Sequence, residues 1–216
     1  MLRRILDWVY PKRAVCMGCG DAGGMENDWL CEECRRTLAG SRIGAQSVPK
    51  LDGAAMAYRY HGPAGGMVRN LKYRGVKLLA EPMTAAMLEA YRRIEPTGAE
   101  LVTFVPMHPW RRLRRGLNQS EVLAVWMAKR LGLPCRGVLN RTRNTVQQAK
   151  LTGEERQKNL KDAFRADESV NGKRVLLVDD VFTTGATALE CAKALRQAGA
   201  TSVYYLAFAG RKAGKP

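Results

Sequence analysis

Two sets of residues in this 216-residue chain have the types and spacing that chemistry needs. The first is four cysteines, Cys16, Cys19, Cys31 and Cys34, arranged as two CxxC pairs with 11 residues between them. Two residues between ligands let one tight turn present two thiolates to one ion, and a second such turn completes a tetrahedron. Gly20, directly after the first pair, suits the positive φ that such turns often require. A segment this short cannot fold on apolar burial, so metal binding would supply its stability. With sulfur in all four positions no place remains for water, and the expected ion is a structural Zn²⁺. A redox-active CxxC is the rival reading, but it asks for one pair in a thioredoxin-like setting, not two in one short module. Cys135 and Cys191 stand apart, and Cys191 falls on the apolar face of a predicted helix.

The second set lies in the run 175–187, VLLVDDVFTTGAT. Val175 to Val178 form the unbroken apolar stretch of a strand covered on both faces. That strand delivers Asp179 and Asp180 to its carboxyl end, where open α/β sheets place ligands. Thr183, Thr184, Gly185, Ala186 and Thr187 follow, small and rich in hydroxyls, and then a helix begins. Backbone N–H groups of a tight loop and the positive end of a helix bind a phosphate dianion. Two carboxylates at the loop's edge can accept hydrogen bonds from ribose hydroxyls without repelling that phosphate. Helix capping by Asp179 or Thr183 is the plainer reading, but it accounts for one residue and not for two acids followed by TTGAT. No GxxxxGK[ST] pattern occurs, which excludes a Walker A loop. The run resembles the 5-phosphoribosyl 1-pyrophosphate (PRPP) motif of type I phosphoribosyltransferases.

A third stretch, 101–124, is again strand, loop and helix, with His108, Arg111, Arg112, Arg114 and Arg115 in its loop and Asn118 as a candidate cap. A cationic loop beside the phosphate site is what a leaving pyrophosphate requires; a solvated basic turn is the alternative. The polar, basic stretch 141–164 is long for a loop without a packed pattern, of the kind that serves as a lid or is disordered; the resemblance to phosphoribosyltransferases implies a segment that closes over the reaction centre.

The elements around these sites follow from periodicity. Strands are predicted at 55–60, 101–106, 174–179 and 202–209, with helices near 64–74, 78–94, 119–131 and 186–198. Their alternation predicts an α/β domain with a mainly parallel sheet flanked by helices. We expect a four-cysteine zinc-binding module over 1–40, a linker over 41–53, a phosphoribosyltransferase-like domain over 54–210 and a basic tail over 211–216. Thirty-six Lys and Arg against 20 Asp and Glu give a net charge of +16, which favours polyanionic partners such as nucleic acid or a phosphorylated ligand. No window reaches the roughly 18 apolar residues of a membrane span, and the start has no signal-peptide core, so a cytoplasmic protein without a membrane span is expected.

These features together resemble the ComF family. The resemblance runs from WVYPKRAVCMGCG through CEEC, LKYRG (71–75) and VPMHPWRRLRRGLNQ to Thr145, Gln148, Leu151, Arg156, Asn159, Phe164 and VDDVFTTGAT. It implies a zinc-ribbon cap joined to a type I phosphoribosyltransferase fold, and a link to natural transformation and single-stranded DNA. It places Asp179 and Asp180 on ribose hydroxyls, Thr183 to Thr187 on the 5′-phosphate, and His108, Arg111 and Arg115 on pyrophosphate. Mg²⁺ accompanies PRPP in that fold. Lys72, Arg111, Arg112 and Arg114, with Trp110 and Tyr73 nearby, are the candidate nucleic-acid contacts. A helicase-like competence partner is implied by family analogy. Whether the chain is an enzyme stays open: the alternative to a PRPP- and DNA-binding factor is a transferase passing ribose 5-phosphate to a small nitrogen acceptor.

Overall fold

The computed structural model describes residues 15–21, 29–73, 77–94, 98–107, 113, 116–142 and 162–211. After the first cysteine turn, α1 (Glu32–Gly40) leads into β1 (Arg42–Gln46), β2 (Gly53–Arg59) and α2 (Gly62–Tyr73). A short 3₁₀ turn precedes α3 (Ala80–Tyr91), followed by β3 (Leu101–Phe104), α4 (Gln119–Leu131), β4 (Leu139–Arg141) and β5 (Phe164–Ala166). The chain closes with β6 (Arg174–Phe182), α5 (Ala186–Gln197) and β7 (Ser202–Gly210).

Five strands form one sheet in the order β1-β2-β7-β6-β3. All neighbours are parallel except β1, which runs antiparallel to β2. Period-two alternation sorts the side chains onto two faces. Leu176, Val178, Tyr204, Leu206 and Phe208 pack with α2, α3 and α4. Val175, Leu177, Val203, Tyr205 and Ala207 pack with α5 and the β4–β5 pair. Both β6 and β7 are therefore covered on both sides, which is why they read as continuous apolar runs. Cys191 is fully buried on α5, as its position on the apolar face predicted. Gly199 follows the last turn of α5 at φ 91, the left-handed geometry that a C′ glycine supplies.

Part of the stretch expected to be a linker is a strand. Residues 42–46 pair with β2, Arg42 opposite Tyr58 and Gln46 opposite Ala54. An edge strand needs only one paired side and little burial, so its main-chain bonds hold it without an apolar signature. The four-cysteine segment also packs directly on the sheet domain. Leu38 joins the main core, Met17, Trp29 and Leu30 lie against it, and Asn70 Nδ2 donates to the Met17 carbonyl at 2.8 Å. Among the described residues, no helix is long and apolar enough to cross a membrane.

Candidate anion-binding cleft and metal centre

A cleft opens at the carboxyl end of β6. It encloses about 210 Å³ and is lined by Asp179, Asp180, Thr183, Gly185, Thr187 and Lys72, with Met107, Asn118, Ser120 and Arg141 on its other walls. The two aspartates take different roles. Asp179 is 7% exposed, and its carboxylate is held from three directions. Ser120 Oγ and the Asp180 N–H each donate to Oδ1 at 2.8 Å, and the Tyr205 hydroxyl donates to Oδ2 at 3.0 Å. Burial, and then the charge of Asp180 beside it, pushes the Asp179 carboxyl up to about 7. Asp180 instead turns outward, with Lys72 Nζ 3.9 Å from its Oδ2.

The loop after these acids turns on Gly185 into α5. Gly185 is the N-cap of α5 at φ 79, and a Cβ there would meet Phe182 Cζ at 2.9 Å. Only glycine adopts that backbone beside that ring without strain. Among the described residues no side chain caps α5 in the usual way, although Thr184 Oγ1 accepts from the Ala186 nitrogen at 3.5 Å. The capping role for Asp179 is excluded, since its oxygens serve Ser120, Asp180 and Tyr205. Thr183 and Thr184 are exposed at the cleft mouth.

Asp179 makes a pH prediction whose sign follows from its raised value. The unfolded chain releases this proton near pH 4, but the folded chain keeps it to about pH 7. Its contribution is therefore full below pH 4, lost as pH rises towards 7, and level above. Asp179→Asn is expected to flatten that slope in denaturant titrations between pH 4 and 8. An unchanged slope in the variant would assign the pH dependence to another group.

His108, Arg111, Arg112, Arg114 and Arg115 lie outside the described residues, as do 143–161, Trp110 and residues 212–216 of the tail. The points where those stretches leave and return are described. Val105, Pro106 and Met107 line the cleft on one side of the arginine loop, and Asn118, Gln119 and Ser120 on the other. Asn118 joins the two: its Nδ2 donates to the Val105 carbonyl at 3.1 Å, and its Oδ1 accepts from Ser120 N at 3.2 Å, capping α4. The stretch 143–161 leaves from β4 and returns at β5, where Thr142 N donates to the Ala163 carbonyl at 2.9 Å. Arg141, at the end of β4, stacks its guanidinium over Phe164 at 5.6 Å and lines the cleft.

Ser120, Tyr205 and Arg141 escaped the sequence reading. Tyr205 left one clue, because a tyrosine within a fully buried strand needs a partner for its hydroxyl. Lys72, expected as a nucleic-acid contact, stands at the cleft beside Asp180.

The four cysteines converge as their spacing required. Their sulfurs all lie within 4.8 Å of one another, Cys19 and Cys31 at 3.9 Å. Zn–S bonds of about 2.3 Å set tetrahedral S···S separations of about 3.8 Å, so the cage suits such an ion. Cys16 Sγ accepts from Gly18 N at 3.4 Å and Cys31 N at 3.3 Å. Burial alone would raise this thiol, but backbone N–H groups of Cys19, Cys31 and Gly18 outweigh it and bring it down to about 6. Burial and the neighbouring sulfurs push Cys34 upward instead. Sulfurs so crowded ionise together only when a cation balances them.

A family model described as phosphoribosyl transferase domain matches residues 117–216, from the start of α4 through the acids, the loop and β7. The DNA utilization protein YhgH of Salmonella typhi is 35% identical over 200 residues, covering 90% of this chain and 83% of the relative. YhgH of Escherichia coli is 30% identical over 200 residues, covering 88% and 87%. Competence protein F of Haemophilus influenzae is 29% identical over 210 residues, covering 89% and 88%. The chain belongs to the ComF family. The ComF architecture seen here is of phosphoribosyltransferase type: a mainly parallel sheet flanked by helices, with a four-cysteine cluster able to hold a metal near the amino-terminal end.

Proposed function

We propose that this ComF chain binds PRPP with Mg²⁺ in the β6 cleft and single-stranded DNA on its basic surface, acting in DNA uptake or processing. One observation carries the first part: an outward carboxylate, Asp180, stands at the edge of an uncapped, glycine-hinged helix N-terminus. In this reading Asp180 accepts from the ribose hydroxyls, and Asp179 orients it from behind. The segment Thr183, Thr184, Gly185, Ala186 and Thr187 surrounds the 5′-phosphate, and His108, Arg111 and Arg115 face the pyrophosphate. Mg²⁺ suits the oxygen donors of the ligand and of Asp180, and supplies charge neutralisation when bound. The four cysteines hold a structural Zn²⁺, and the protein works in the cytoplasm.

The DNA part rests on the +16 charge and on relatives named for competence and DNA utilization. Arg111, Arg112, Arg114 and Lys72 supply phosphate contacts, and a helicase-like protein is the proposed partner. Calorimetry with PRPP and Mg²⁺, repeated with short single-stranded DNA, tests both parts. PRPP binding is expected, together with DNA binding that weakens steeply with salt, by a slope that Arg111→Ala/Arg115→Ala reduces. Absence of PRPP binding refutes the cleft assignment, and salt-insensitive DNA binding refutes the DNA assignment. Pyrophosphate release with a small nitrogen acceptor would move the assignment to a transferase.

A further inference from the structure

Helix α2 touches both sites described above. It starts just after β2, and Lys72 in its last turn reaches Asp180 at the end of β6, so it spans the carboxyl ends of β2, β7 and β6. Its other side carries the four-cysteine segment at unusually close range. A Cβ on Gly66 would fall 1.8 Å from the Gly18 carbonyl oxygen, so the two backbones are in direct contact. A Cβ on Gly18 would meet Cys34 Sγ and Pro63 Cβ, each at 2.9 Å. The turn between Cys16 and Cys19 is thus wedged between α2 and the second cysteine pair. Asn70, two residues before Lys72, donates its Nδ2 to Met17 in the same turn.

From this juxtaposition we infer that the four-cysteine module sets the affinity of the cleft by holding α2, and thereby Lys72, against Asp180. The inference rests on the proposed PRPP site. Its chemistry is electrostatic. Asp180 alone repels an incoming phosphate, and the Lys72 ammonium offsets that charge at the cleft edge. A helix is stiff, with a rise of about 1.5 Å per residue, so displacing it at Gly66 or Asn70 displaces Lys72. Gly66 and Asn70 are therefore positioning residues, acting through Lys72 without touching ligand.

The test uses the full chain, with PRPP and Mg²⁺ as the probe in calorimetry and zinc content measured alongside. Gly66→Ala, which must push the turn off α2, is expected to keep stoichiometric zinc and lose about tenfold in PRPP affinity, the scale of one charge-assisted contact. Lys72→Met is expected to lose a similar factor, and the double variant no more than Lys72→Met alone, because the two act on one contact. Penalties that multiply, or a folded Gly66→Ala protein that binds PRPP like the wild type, overturn the linkage. Should Gly66→Ala not fold, Asn70→Ala replaces it, with a smaller loss expected and an unchanged affinity counting against. A wild-type protein that binds no PRPP would instead remove the cleft assignment itself, a different failure seen in the first titration.

Discussion

Asp180→Asn is expected to weaken PRPP binding by about thirtyfold, while leaving the protein as stable as the wild type at neutral pH. Asp180 lines the cleft with a side chain 15% exposed and with Lys72 Nζ 3.9 Å from its Oδ2. Its amide would keep one acceptor oxygen but lose the charge that strengthens hydrogen bonds from ribose hydroxyls. Such bonds contribute about 2 kcal/mol, or thirtyfold. Asp179→Asn behaves differently. It replaces a buried carboxyl that Ser120 and Tyr205 hold in place, so stability shifts as well as affinity. Calorimetry with PRPP and Mg²⁺ alongside thermal unfolding separates the two. Equal affinity losses without any stability difference would show that both carboxylates meet the ligand on the same terms.

Removing a metal from the four-cysteine cage is expected to act most on residues 15–40. A structural Zn²⁺ held by four thiolates contributes about 10–16 kcal/mol of apparent binding free energy in small modules, and among the described residues of 15–40 only Cys16, Gly18, Cys34 and Leu38 are buried. Cys16 and Cys34 are the buried pair of the cage, with Leu30 packed beside them. Cys34→Ser, or chelation, should release the cysteine turns and α1, which begins directly after Cys31. Hydrogen exchange would then rise through residues 15–40 while β6 and β7 stay protected. Full protection of α1 after complete zinc loss would show that the module folds on packing alone.

The parts of the molecule legible in the sequence are those where one strong signal acts locally. β6 and β7 were readable because strands buried on both faces must be apolar throughout, and the cysteine cage because CxxC spacing reports its own geometry. Asn118 was readable as a cap from its place before the apolar helix pattern. The edge strand β1 was not, because main-chain pairing with β2 leaves no trace in side-chain type. The division of labour between Asp179 and Asp180 was also hidden. It depends on Ser120 and Tyr205, 59 and 26 residues away, which only the fold brings to the same carboxylate. The same holds for Lys72, whose charge announced a polyanion but whose place beside Asp180 needed the path of α2.

The position of β7 has a consequence for how the protein is made. This strand is the centre of the five-stranded sheet, yet it follows every other strand among the described residues. Its partner β2 lies about 150 residues earlier, Gly53 opposite Tyr204. During synthesis the β1–β2 pair and the β3–β6 pair therefore emerge as two separate ribbons, each with an open apolar flank. Neither can join the other until the ribosome has released residues 202–210. Pairings this distant close slowly, and exposed edges invite aggregation while they wait. The nascent chain is most vulnerable while β6 has emerged and residues 202–210 have not, because a stall in that interval leaves both flanks open.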